Sequence, residues 1–145
     1  MRIRDACSRT FLNYNLQPDK NEGYLRTWCN IAVKEISDYF GYNFPPTVRL
    51  ANEIYDFMLS PKSAGIFEEV SPDKALAMAY ADKLVIACEK GAKRGHVAVV
   101  YPLDMQYSGK HKKNVPMVYS VGRQVGIMTV GYAFRGEPKY YLLIK

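Results

Sequence analysis

Two residues far apart in the chain have the types that carry out acyl transfer together. Cys29 lies in TWCNIAVKEISDYFGY (residues 27–42), and His96 lies in RGHVAVVYP (residues 94–102). A thiol attacks a carbonyl as its thiolate, so a catalytic cysteine needs something that favours the ionised form: a helix N-terminus, a nearby imidazole, or both. A histidine on a rigid neighbouring element would take the thiol proton and return it to the leaving group. Separation in sequence is no obstacle, because such partners meet in the fold. Each residue also has an ordinary reading, the cysteine as a small buried hydrophobe and the histidine as a surface side chain at a strand start.

The local sequence sets both residues at element starts. From Asn30 onward, Ile31, Val33, Ile36 and Phe40 recur at helical spacing, and Gly41 with Pro45 and Pro46 ends the run, so Cys29 falls in the first turn of a helix. Gly95 and His96 open an apolar, β-branched run, and the glycine admits close approach of a helix or a substrate. Residues 4–14 can form a short helix, and residues 16–23 (LQPDKNEG) read as a polar loop that delivers Trp28 and Cys29. VRLANEIYDFML (48–59) carries Leu50, Ile54, Phe57 and Met58 at helical spacing. SPDKALAMAYADK (71–83) opens with a Ser71 cap, Pro72 at the first helical position and Asp73 in the first turn. Residues 84–88, 96–101, 116–121 and 139–144 are short apolar or aromatic runs bounded by Gly, Pro and Lys, and read as strands. Helices first and strands second predict an α+β fold, with helices packed on one face of a largely antiparallel sheet.

Composition bounds what this framework can do. The 145 residues contain no repeat, low-complexity tract or dividing linker and suit one domain, large enough to bury roughly two-thirds of its extended-chain surface. Cys7, Cys29 and Cys88 cannot all pair within the chain and lack the close spacing of a zinc or redox motif, so at least one is free. Cys88, inside an apolar strand, reads as a buried structural thiol, and Cys7 is open. The net charge of +6 favours an anionic partner such as nucleic acid, acidic lipid or an acidic wall polymer, or serves solubility alone. His111, in GKHKKN (109–114), reads as part of a solvated basic loop, with a basic lip against an anionic polymer as the alternative. The opening MRIRDACSRTF lacks the apolar core of a signal peptide, and nothing approaches the roughly 20 apolar residues of a membrane span. A chain made in the cytoplasm without a signal and acting outside would leave by lysis or by dedicated secretion.

The pairing of TWCNIAVKEISDYFG with a downstream GHVAVV strand resembles the papain-like cysteine hydrolases that cut peptidoglycan peptides: the CHAP and NlpC-type enzymes, phage endolysins and the small amidase effectors of type VI secretion. LANEIYDF, LVIACEKG and SVGRQVGIMTVGYAF leading into PKYYLL also have counterparts in such chains, so the resemblance runs from about residue 24 to the end, with GHVAVV its most specific piece. It implies a papain-like α+β fold with the Cys-bearing helix on the sheet, Cys29 as nucleophile and His96 as general base. A third residue on the next strand usually holds the imidazole by its far nitrogen. If residues 116–121 pair antiparallel with residues 96–101, that region is Ser120, Val121, Gly122 and Arg123, which offers no carboxylate or amide. Ser120, or a main-chain carbonyl beside it, is the expected orienter, with Asp104 and Asn114 in the intervening loop as weaker candidates. Where papain-like proteases place a glutamine oxyanion donor, six residues before the cysteine, this chain has Gly23, so a side-chain donor is unassigned.

The resulting expectation is hydrolysis of an amide bond in the peptidoglycan peptide stem, the bond between D-glutamate and the diamino acid being the first to test. The enzyme would act as a monomer without metal or cofactor, with peptidoglycan as substrate, no nucleic acid or membrane partner, and an immunity protein as partner if the chain is an interbacterial effector. Two alternatives stand beside it. One is the same fold performing deamidation or another acyl transfer on a protein. The other is a basic binding module without chemistry, although no nucleic-acid recognition motif is present.

Overall fold

A computed structural model describes residues 1–15, 28–122 and 124–145. The expected loop at 16–23, Gly23 and Arg123 therefore lie outside the described residues. In chain order the elements are α1 (Arg2–Asn15), α2 (Cys29–Tyr39), α3 (Ala51–Leu59), β1 (Phe67–Val70), α4 (Pro72–Tyr80), β2 (Val85–Glu89), β3 (His96–Val100), β4 (Gln106–Ser108), β5 (Lys113–Val115), β6 (Met117–Val121), β7 (Val125–Thr129), α5 (Val130–Ala133) and β8 (Lys139–Leu143). The architecture is α+β. Six strands form one sheet in the order β1-β8-β2-β3-β6-β7, every pair of it antiparallel, and β4 and β5 form a separate hairpin.

The helices cover both faces of the sheet rather than the one face expected. Val97 and Val99 of β3, with Ile86, Cys88, Tyr119 and Val121, belong to a core shared with α1, α2 and α3. Ala98 and Val100, with Val85, Ala87 and Val118, belong to a second core shared with Ala75 and Ala79 of α4 and with Val130 and Phe134 around α5. The reason lies in the strand sequences. A sheet with a solvated face alternates apolar and polar residues, whereas β2, β3 and β6 are nearly continuous apolar runs and need cover on both sides.

Local chemistry sets the helix ends. Ser71 Oγ accepts from the Lys74 backbone N–H (3.2 Å) with Pro72 behind it, as its sequence predicts. The Glu53 carboxylate reaches back to the Leu50 and Arg49 N–H groups (2.9 and 3.2 Å) and opens α3. At the end of α2, Gly41 adopts a left-handed φ of +86°, and the N–H groups of Gly41 and Tyr42 close onto Asp38 O and Ser37 O.

Candidate functional site

Cys29 is the first residue of α2, directly after Trp28, whose carbonyl accepts from the Ala32 N–H (2.8 Å). It is 1% exposed and lies in the core on the α1–α3 side. The first turn of α2 is tied to the entry of α3 by Asn30 Nδ2, which donates to Arg49 O (2.7 Å). The first turn of α3 is tied in turn to the segment before β3, where Asn52 donates to Gly91 O (2.9 Å) and accepts from Gly91 N–H (3.1 Å). A Cβ on Gly95 would run into the Asn52 side chain and stand 2.6 Å from Glu89 O, so the close helix approach expected of this glycine is present. Through these contacts the first turns of α2 and α3 are tied to the segment that leads into β3.

The Cys29 and His96 side chains lie on different faces of the sheet. His96 shares the strand parity of Ala98 and Val100, and its ring packs on Phe134 of the second core, with ring centroids 4.9 Å apart. The β3–β6 register, Val99 opposite Tyr119 and Val100 opposite Val118, carries Ser120 and Gly122 to the imidazole. His96 Nε2 and Ser120 Oγ are 2.7 Å apart, and this is the ring's hydrogen bond among the described residues. Ser120 is itself buried, and a Cβ on Gly122 would meet the ring's Cε1 at 3.5 Å. Burial lowers the His96 pKa to about 4, which keeps the imidazole neutral at physiological pH and able to accept a proton. In front of the pair lies a cavity of about 390 Å³, lined also by Gln124, Met128 and Tyr132. Tyr132 Oη donates to Gln124 Oε1 (2.7 Å) beside it.

The structure thus brings His96 and Ser120 together and sets the Cys29 side chain in the opposite core. Of the weaker orienter candidates, Asp104 accepts from Tyr80 Oη (2.5 Å), and Asn114 stands in β5 opposite Tyr107. Cys7 and Cys88 are buried thiols whose pKa burial pushes up to about 12. His111 departs from the solvated loop expected of it, since both ring nitrogens are shielded from solvent. Its neighbours Lys110 and Lys113 stay exposed but are tied down, the first donating to Phe134 O (2.6 Å) and the second pairing with Glu137. Phe134, Gln124 and Tyr132 escape sequence reading, because nothing in the spacing of QVGIMTVGYAF marks them as neighbours of a histidine in another strand. Among the described residues no three His, Cys, Asp or Glu side chains group so as to hold a metal ion.

Compared with known proteins, the chain matches no family model and no curated protein. The α+β architecture rests on the structure, and the likeness to papain-type hydrolases rests on the quoted motifs.

Proposed function

We propose that the chain is a thiol hydrolase that cleaves an amide bond in the peptide stem of peptidoglycan, with Cys29 as nucleophile and His96 as base. The supporting observation is the 2.7 Å contact between His96 Nε2 and Ser120 Oγ. It holds a neutral imidazole by one nitrogen and leaves the other, Nδ1, available as a base. Nδ1 takes the Cys29 proton and the sulfur attacks the carbonyl carbon. Backbone N–H groups at the start of α2 stabilise the oxyanion. The imidazolium then protonates the departing amine, and water releases the thioester. In the unliganded chain the two side chains sit in separate cores, so this reading requires the first turn of α2 to move against β3 before Sγ and Nδ1 can share a proton. The wall substrate is supported by the motif resemblance and by the net charge of +6.

A second reading is favoured by one observation: the atom on Nε2 is a serine oxygen facing a cavity. In that case Ser120 is the nucleophile. Digestion of purified sacculi by Cys29→Ala, Ser120→Ala and His96→Ala proteins separates the two. The thiol reading expects loss of digestion in the Cys29 and His96 variants, and a decrease of roughly 10-fold or less in Ser120→Ala, the worth of one neutral hydrogen bond. Abolition in Ser120→Ala with Cys29→Ala active assigns the serine. Full activity in folded His96→Ala protein overturns both.

A further inference from the structure

The motif GKHKKN plays no part in the proposed hydrolysis, yet its histidine is built into a second cavity. The β4–β5 turn carries His111 over a space of about 240 Å³, which Asp73, Lys113, Val115, Glu137 and Pro138 also line. The helix α5 stands between this space and the His96 cavity, with Val130 lining the one and Tyr132 the other. The His111 backbone N–H donates to Ser108 Oγ (3.2 Å), which fixes the turn, while Nδ1 and Nε2 are both withdrawn from solvent and, among the described residues, no group bonds either. An imidazole with both nitrogens in that state is destabilising to the folded chain unless something in the cavity answers it.

The charges on the cavity wall narrow what that something is. Lys113 pairs with Glu137, and the lysine beside it, with a smaller influence from His111, holds the Glu137 carboxyl below the usual range. Asp73 adds a second carboxylate. Two acids, one ammonium and one imidazole complement a small molecule that carries both an ammonium and a carboxylate. The space is smaller than drug-sized pockets of about 300–1,000 Å³. We infer that this cavity binds a free α-amino acid, with its ammonium toward Asp73 and Glu137 and its carboxylate toward His111 and Lys113.

The test is titration of the whole chain with alanine, followed through the ring resonances of His111 by NMR. The arms are N-acetylalanine, which keeps only the carboxylate, and alaninamide, which keeps only the ammonium. The inference expects a saturable His111 shift with alanine and binding weaker by roughly 10-fold or more for each half-charged analogue, since each removes a charge-assisted contact. His111→Asn protein should lose the saturable response, read through the Val115 and Val130 methyl signals. Equal binding of N-acetylalanine would make the site one for a peptide C-terminus, and equal binding of alaninamide one for an N-terminus. Either result, or the absence of any saturable shift with alanine, overturns the inference.

Discussion

At the scale of single residues, a buried neutral imidazole decides how a thiol partner must be activated. With the His96 pKa lowered to about 4 by burial, the proposed thiol reading has no resting thiolate–imidazolium pair, and in it the proton would move during attack. The acid limb of kcat/KM on a stem peptide should then fall well below the ordinary histidine value of about 6.5. A limb at or above 6.5 in the wild type would show that the working base is another group. Alkylation tests the thiol itself. Cys29, Cys7 and Cys88 are 1%, 2% and 0% exposed, so access does not separate them. Burial holds the Cys7 and Cys88 pKa values near 12, whereas Cys29 has the helix start. Iodoacetamide at neutral pH should modify Cys29 first by peptide mapping, and equal labelling of the three would remove the case for an activated thiol.

At the scale of elements, the site depends on how tightly α3 sits against the entry to β3. A Cβ at Gly95 meets the Asn52 side chain and the Glu89 carbonyl, so Gly95→Ala must push helix and strand apart, at a cost of about 1–3 kcal/mol. We expect a lowered thermal midpoint together with lost activity. An unchanged midpoint would mean that the approach is loose. What the sequence made legible follows from the same local rules. The capped helices, the Cys29 helix with its Gly41 stop, the strands of the sheet centre and the placement of Ser120 at His96 all follow from periodicity, turn residues and strand register. The strands that escaped it are β1 (FEEV), β4 (QYS), β5 (KNV) and β7 (VGIMT), which are short, polar or at the sheet edge and owe their pairing to distant partners. The face from which His96 leaves the strand was illegible for a related reason. Strand parity is plain in HVAVV, but which core each parity meets depends on how α2 and α5 dock.

At the scale of the whole molecule, the sheet is sandwiched between two cores, and the second holds a titratable ring that is most stable uncharged. A histidine whose folded pKa lies below its unfolded value contributes stability that is fully present above the unfolded value and is lost as pH falls through the folded one. For His96 that window runs from about pH 6.5 down to about pH 4, because the unfolded chain gains a proton there while the folded chain does not. The loss across it should be on the order of 3 kcal/mol. Carboxylates act lower. Glu53 is held below its ordinary range by the Leu50 N–H, and Glu137 by Lys113. In Asp82 the N–H groups of Ile3 and Arg2 outweigh the upward push of burial. Their stabilisation disappears only as pH falls below the normal carboxylate range, so the upper part of the window belongs to the imidazole. Urea unfolding of wild type and His96→Phe, followed from pH 7 to pH 4.5, isolates the effect by difference (roughly two pH units of the window). The variant keeps an aromatic ring against Phe134 and has nothing to protonate, so its stability should fall much less over that range. Parallel curves for the two proteins would mean that the ring takes up its proton without leaving Phe134 and Ser120, and that the site works with an imidazolium at mildly acidic pH.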